Sequence, residues 1–525
     1  MRFRSKNFLI LSIVITILFM GKLSLYQEPL NAEDNEGCTI GVAAGIATPD
    51  GRPMIWKNRD TEATASNASV FWSTGDPNEF EYLAVISGGN TNLIYQGVNS
   101  QGFAIVNSLI DDLPQGTTGP GNGTFIRMAL ESCGTVAEFI QLLNQTNISG
   151  RRTQANFAVL DSTGDAKMIE AGGNVYWVYD AAEAPNGYIV RANFSMAGDG
   201  VGGPFGHGRF VRSSALISDF HAGDSLNHRS IIRYQMREFN GIDGSPIGVP
   251  SDDVSLYPVV PIGYISNAVS ICRSICISAT VVHGVIPDEP ARTTTMWNLL
   301  GQPSTAIALP YWPIGEAPAA ATGLQGCTLS DIANSLLSGI DTTIYINQYQ
   351  MDLEFINTPM LRNYNGEGLW ANIFPAEDSI FSWTESQLAN WRNTGNSGLP
   401  EILAFESEMA ELAVSTLEYG LGVLSVDGEP AHAPRHELLQ NYPNPFNPIT
   451  TISYTLAEQL TVKLKIFDIQ GREIMQLQDA SQPPGSYQMQ WSGQDHHGNQ
   501  VSTGVYFCRL EANDFSTTIK MLFLK

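Results

Sequence analysis

Charge is scarce in this chain, and positive charge scarcer still. Only 15% of its 525 residues are charged, and 28 Lys and Arg stand against 52 Asp and Glu, a formal charge of -24. That balance excludes binding to a nucleic-acid backbone, which needs clustered cations. It serves instead to keep an exported protein in solution. Cysteine is sparse too, with six in all: Cys38, Cys133, Cys272, Cys276, Cys327 and Cys508. No two stand as C-x-x-C, so there is no zinc motif. An even count permits three bridges, but the spacing forms no disulfide framework. Cys272 and Cys276 sit in the apolar run ISNAVSICRSICISATVV, where buried free thiols are expected. No internal repeat of roughly 20–50 residues is visible, which excludes solenoids and propellers.

A full membrane span is missing from the N-terminus. Arg2, Arg4 and Lys6 precede the apolar run Phe8–Gly21, shorter than the ~20 residues that a bilayer needs. This reads as a signal peptide over residues 1–26, with an uncleaved anchor as the alternative. A cysteine follows, but Asp34-Asn35-Glu36-Gly37 before it lack the small apolar residues of a lipobox, so lipidation is set aside. Residues 27–37 are then a short propeptide.

What is present is enough apolar sequence, 43%, for two or more packed domains. From Cys38 to about Phe194, short β-rich runs alternate with glycine turns: Thr39–Ala47, Pro53–Lys57, Glu81–Ser87, Thr91–Gln96 and Gly102–Ile110. Helical spacing over Phe125–Cys133 and Val136–Asn144 predicts two helices. Strands return at Asn156–Leu160, Ala166–Glu170 and Val175–Tyr179. Arg209–Phe220 and His228–Phe239 read as helices, Ile277–Val285 and Ala306–Leu309 as strands, and Pro400–Tyr419 as an amphipathic helix. The loops near Ser66–Gly75 and Gly198–Gly206 carry no readable pattern. Strands, helices and strands again describe an α+β domain with sheets packed between helices, spanning 38–424. After a linker, 425–437, six evenly spaced β-rich runs over 438–525 describe a small all-β sandwich.

The stretch Gly37–Asp60, GCTIGVAAGIATPDGRPMIWKNRD, concentrates the chemistry. A cut between Gly37 and Cys38 would free an α-amine on the same residue as a thiol. With a pKa near ~7.7–8, that amine can take the thiol's proton at neutral pH. A small residue before the cut leaves the thiol room to attack the preceding carbonyl. The plainer alternative is a buried or disulfide-bonded strand cysteine in an inactive surface or adhesion protein. Gly326-Cys327-Thr328 repeats the GCT triplet without the following turn and polar cluster, and fits a capped helix start better. His207 and His283 have no local partner motif, and His283 in an apolar strand is expected to be structural.

Two family resemblances attach to these motifs. The C-terminal run LLQNYPNPFNPITTISYTL, with Phe467-Asp468-Ile469-Gln470-Gly471-Arg472, Gly485, Trp491, Gly504-Val505-Tyr506-Phe507 and a terminal Lys520-Met521-x-x-x-Lys525, resembles type IX secretion sorting domains. These are similar to the Ig-like domain of flagellar hook-capping proteins. The resemblance implies the type IX secretion machinery as a partner, with membrane contact only during export or by surface attachment. Upstream, Cys38-Thr39, Asp50-Gly51 and Asn58-Arg59-Asp60 resemble the opening of N-terminal-nucleophile (Ntn) hydrolases of the choloylglycine hydrolase, penicillin V acylase and isopenicillin N acyltransferase-like group. So do Gly97-Val98-Asn99-Ser100-Gln101-Gly102-Phe103, Asp161-Ser162-Thr163-Gly164 with Glu170, Ile189–Phe194 and Gly208-Arg209-Phe210-Val211-Arg212.

That resemblance implies a four-layer αββα fold and a hydrolase acting on an amide of a small molecule or peptide, without metal or organic cofactor. It makes Cys38 the nucleophile and Asp60 the carboxylate that orients its amine. Asn107 and Asn193 become oxyanion donors, with Asn99 a competitor for the first place. Arg209 is the distal arginine. Lys57 stands where bile-salt hydrolases carry an arginine beside the thiol, and Arg59 is the other choice. Acyl transfer to an amine is the alternative outcome.

Overall fold

The structure is a computed structural model. It describes residues 37–61, 68–73, 78–87, 89–197, 205–240, 264–267, 270–324, 326–346, 351–362, 366–394, 399–424, 437–438, 441, 444, 446, 448–456, 460–482, 485–513 and 515–523. The expected signal peptide, the propeptide up to residue 36, the linker up to 436, both ends of the first unreadable loop and most of the second, 198–204, lie outside these residues.

The chain divides into two compact units, one holding residues to Asn357 with Ile373–Glu418, the other Thr358–Asn372 with Tyr419 onward. Two large antiparallel sheets form the body of the first unit. One is a seven-stranded meander. Its strands are β3 (Ala68–Ser73), β4 (Tyr82–Ser87), β5 (Gln96–Asn99), β6 (Ala104–Leu109), β7 (Ala155–Leu160), β8 (Ala166–Ala171) and β9 (Tyr176–Asp180), in that order. The other has six strands in the order β10-β1-β2-β12-β13-β14. Here β1 is Cys38–Ala43, β2 Met54–Asp60, β10 Tyr188–Arg191, β12 Cys276–His283, β13 Thr295–Leu300 and β14 Ala308–Tyr311. A three-stranded sheet of β11 (Tyr264–Ser266), β15 (Asp341–Ile346) and β16 (Met351–Asn357) completes the strands of this unit.

Every residue of β1 and β2 is buried, because both faces of this sheet are covered. A strand buried on both sides reads as a continuous apolar run rather than an alternating one, which is why CTIGVA carries no period-two signal. Gly51 closes the β1–β2 hairpin at φ +74, where a side chain would be strained. Over the seven-stranded sheet lie α1 (Asn122–Ser132) and α2 (Val136–Ser149), with Phe103, Phe125, Phe139 and Phe157 at ring separations of 5.7–5.9 Å. A capping box of Thr135 and Glu138 starts α2. Over the six-stranded sheet lie α3 (His207–Ala222), α4 (Thr328–Ile340), α5 (Trp370–Thr394) and α6 (Leu399–Leu424). Arg237 binds both carboxylate oxygens of Glu377 on α5, and Trp391 meets Trp312 edge-on at 5.0 Å. The result is a four-layer αββα arrangement.

The second unit carries an all-antiparallel sandwich. One sheet has β17 (Glu437–Leu438), β18 (Thr450–Leu456) and β21 (Gly485–Trp491) in that order. The other runs β20-β19-β22-β23, from Glu473–Gln482, Leu460–Asp468, Gly504–Ala512 and Phe515–Phe523. Leu460, Val462, Leu464 and Ile466 alternate inward along β19 and meet Tyr454, Trp491, Tyr506 and Met521.

Three expectations need correction. Thr91–Gln96 is not a strand: Asn90 accepts the Asn92 N–H and folds the chain into turns, so β5 begins only at Gln96. His228–Phe239 is not one helix: a single turn, His228–Ser230, passes into a wide turn over Ile231–Gln235. Ser66–Gly75, unreadable in the sequence, contains β3. All six cysteines are buried and unbridged. Among the described residues no helix is long and apolar enough to cross a membrane.

Candidate active site

The Gly37–Cys38 peptide is held from both sides. The Cys38 N–H donates to Asn193 Oδ1 at 2.9 Å, and the Gly37 carbonyl accepts from the Asp60 N–H at 3.1 Å. The second bond extends the β1–β2 ladder, in which Cys38 lies opposite Arg59. A cavity of about 230 Å³ opens beside this peptide, lined among others by Cys38, Lys57, Arg59, Asp60, Asn107 and Asn193.

Lys57 and Arg59 are two apart on β2 and so share a face, the one toward the seven-stranded sheet. Lys57 Nζ donates to Asn107 Oδ1 at 2.8 Å and to the Tyr95 carbonyl at 3.2 Å. Arg59 reaches Ser87 Oγ at 2.9 Å, and its guanidinium stacks 4.2 Å from the Tyr95 ring centre. Both cations therefore line the cavity that holds Cys38. With Lys57 fixed on its oxygen, Asn107 has only its NH₂ end to offer a ligand.

Asn193 is oriented by its own network. Its Oδ1 accepts from Cys38 N and from Arg209 Nη2 at 3.0 Å, while its Nδ2 donates to the Leu109 carbonyl at 2.9 Å. Two donors on one side and a carbonyl on the other admit only this sense of the amide. Its backbone is clamped as well. Asn156 Nδ2 donates to both Ala192 and Phe194 carbonyls at 3.0 Å, and buried Glu170 binds Arg191 at 2.7 Å and the Met196 and Ala197 N–H groups. Asn99 is engaged elsewhere: its NH₂ ties the Leu130 and Cys133 carbonyls and its oxygen closes its own turn.

Asp60 is 5% exposed, and its carboxylate oxygens take no hydrogen bond from any N–H or O–H; the Cys276 thiol faces them. Arg273 at 3.6 Å and Arg209 at 3.8 Å approach it. Burial pushes the Asp60 carboxyl above its ordinary pKa, against the pull of those two arginines. Arg273 and Cys276 were not foreseen. Cys276 pairs in register with Asp60 across β12 and β2, and its thiol is pushed well up by burial and by the Asp60 charge. An arginine inside the apolar run ISNAVSICRSIC was the available signal, since such a side chain is rarely buried without a partner. Gly37 packs closely on Arg209: a Cβ there would sit 2.4 Å from Nη2, so a larger residue would have to displace the guanidinium.

Burial lowers Lys57 to a pKa of about 8, partly offset by attraction to Cys38. The unfolded chain keeps that proton to ~10.4, so between about pH 8 and 10.4 it holds more protons than the folded state. Stability from this group therefore rises with pH across that window. Thermal midpoints of wild type should show this increment, and those of Lys57→Met should lose it; equal slopes would contradict a buried, partly discharged Lys57.

Comparison with known proteins gives similarity at the level of families. Residues 46–198 match the family model "Acyl-coenzyme A:6-aminopenicillanic acid acyl-transferase", a range that includes Lys57, Arg59, Asp60, Asn107 and Asn193. This part of the chain is similar to Ntn-type acyl-handling enzymes. Residues 448–515 match the FlgD Ig-like domain. Among solved structures, penicillin V acylase from Agrobacterium tumefaciens matches at 15% identity over 52% of this chain and 86% of that one, with a TM-score of 0.31. A conjugated bile acid hydrolase from Clostridium perfringens matches at 11% identity over 50% and 89%, TM-score 0.32. PorU from Porphyromonas gingivalis matches at 21% over 19% of this chain and 10% of its own, TM-score 0.15. No curated protein matches.

Proposed function

We propose that this protein is a secreted cysteine amidohydrolase, matured by a cut between Gly37 and Cys38. The observation that carries the reading is the double grip on that one peptide, with the thiol-bearing residue facing a polar cavity. In the precursor, Cys38 Sγ attacks the Gly37 carbonyl, the C–N bond breaks and the nitrogen leaves as an amine. Water then hydrolyses the resulting thioester and releases the propeptide. In the mature chain the freed amine accepts the thiol proton, and the thiolate attacks the substrate amide carbonyl. The amine returns the proton to the leaving nitrogen, and water resolves the acyl-thioester.

The roles divide by geometry. Asn107, held on its oxygen by Lys57, supplies the oxyanion donor. Asn193, read from the sequence as a second donor, acts here through its oxygen on the Cys38 nitrogen. Asp60, buried and taking no N–H or O–H hydrogen bond, receives the new ammonium. Arg209 fixes Asn193, and Arg59 with Lys57 favours thiolate in the cavity. Residues 1–26 direct export, 38–424 carry catalysis, and the sandwich over 438–525 addresses the chain to type IX secretion.

N-terminal sequencing and intact mass of active protein test this directly. Cys38 should be the first residue; activity from a chain that begins upstream would overturn the mechanism. The matched family model is named for an acyl-transferase, which favours acyl transfer as the second reading. Adding hydroxylamine to the reaction separates the two by the share of acyl group diverted from water. A screen over N-acyl amino acids would identify the substrate.

A further inference from the structure

In the uncut chain the Cys38 nitrogen is part of an amide, which donates a hydrogen bond but takes no proton near neutral pH. The α-amine that serves as base in the mature chain therefore does not exist while the Gly37–Cys38 bond is being cut. Another group beside the thiol has to accept its proton. A guanidinium keeps its own proton throughout, which removes Arg59. Asp60 stands on the opposite face of β2, against Cys276, Arg273 and Arg209. Tyr95 offers its ring face to Arg59 and Lys57. Lys57 remains.

Strand register brings it to the thiol. Cys38 stands opposite Arg59 and Ile40 opposite Lys57, so these four side chains leave the same face of the β1–β2 ribbon. Cys38 and Lys57 are diagonal neighbours, ~7–8 Å apart and within reach of a long side chain. Lys57 is 1% exposed, and among the described residues its Nζ has two acceptors, Asn107 Oδ1 and the Tyr95 carbonyl. A neutral amine has two N–H groups and one lone pair; an ammonium has three N–H groups. The two acceptors satisfy both N–H groups of the amine and leave the lone pair free. The charges around Nζ come from Cys38 on β1, Arg59 and Asp60 on β2 and Cys276 on β12, and Cys38 acts on it most strongly. Burial brings its pKa to about 8, so about a tenth of it is unprotonated at pH 7.

We propose that Lys57 is the general base and then the general acid of the self-cut, a role that rests on Cys38 making that cut. Nζ takes the thiol proton as Sγ bonds to the Gly37 carbonyl carbon and the carbonyl electron pair moves onto oxygen. The ammonium so formed gives its proton to the Cys38 nitrogen as the carbonyl re-forms and the C–N bond breaks. A thioester and a free α-amine result, with Lys57 neutral again. Water then adds its hydroxyl to the thioester carbon, and its proton goes to the leaving sulfur. Asn107 and the Tyr95 carbonyl hold the amine through both transfers. An arginine in the same place would keep the charge but could not give up a proton.

Cell-free synthesis of the full chain, followed by intact mass over a time course at several pH values, tests this. Wild type should cut about tenfold more slowly per pH unit below about 8 and level off above it. Lys57→Arg should cut at least about 10²-fold more slowly and lose the levelling. Its turnover per cut molecule should suffer at least about tenfold less than its cutting, because the α-amine is the base once the chain is mature. Lys57→Ala should be as slow to cut, and ethylamine, which matches the end of the deleted side chain, should speed it at least about tenfold, in proportion to the unprotonated amine. Should Lys57→Arg fail to fold, the ethylamine rescue decides. Wild-type cutting in Lys57→Arg overturns the assignment, as does no rescue by ethylamine or an equal loss of cutting and turnover. Cys38→Ala keeps the two readings apart. If that chain is cut, the mechanism at Cys38 fails; if it stays whole while Lys57→Arg is cut normally, only Lys57 loses its role.

Discussion

Cys38→Ala should leave the chain uncut before residue 38 and lower amide hydrolysis by at least ~10⁴-fold, because removing the nucleophile of a covalent mechanism forfeits nearly all of it. The substitution is conservative for the fold. Cys38 is 8% exposed, at the head of a fully buried strand, and alanine keeps both of its backbone bonds. Asn193 Oδ1 and the Asp60 N–H would still grip the peptide, so folding should be retained while chemistry is lost. Intact mass after expression reads the cut, and single-turnover hydrolysis reads the catalysis. Normal processing in Cys38→Ala would assign the cut to a separate protease; normal turnover would remove Cys38 from the mechanism.

Asn193→Ala is expected to have the next largest effect, about 10²–10³-fold in kcat, the scale of losing one well-placed polar group in an active site. Its oxygen is the acceptor shared by Cys38 N and Arg209, and its NH₂ is committed to Leu109. Alanine would release the Cys38 nitrogen and leave the Leu109 carbonyl without this donor. Processing should therefore slow together with turnover. Asn107→Ala makes the contrast: it removes a donor to the oxyanion but no contact to Cys38 N. Mass spectrometry over a time course would separate them, and unchanged processing in Asn193→Ala would count against its role at the amine.

Much of the fold was legible in the sequence. Continuous apolar runs located β1 and β12, and the glycine turns located the meander. What could not be read was the sense of the contacts. Asn99 and Asn107 are both polar residues at strand positions, and only the helix end at Leu130 and Cys133 shows which of them is structural. Lys57 and Arg59 both line the cavity, since alternate residues of a strand face the same way. Arg273 and Cys276 reach Asp60 through a strand pairing more than two hundred residues away in sequence, with a bulge between Cys276 and Ser278. Asn156 holds the Asn193 peptide by binding its neighbours' carbonyls, a role without any local motif.

Gly37 lines the same cavity as the thiol, and a Cβ on it would meet the end of the Arg209 side chain. On the proposed cut, the residue that presents the scissile carbonyl is also the plug of the pocket. The uncut chain is then a zymogen whose latency needs no inhibitor domain, and one hydrolytic event both creates the base and vacates the substrate's place. A larger residue at this junction would have to push the Arg209 guanidinium aside, and with it the contact that Arg209 makes to Asn193.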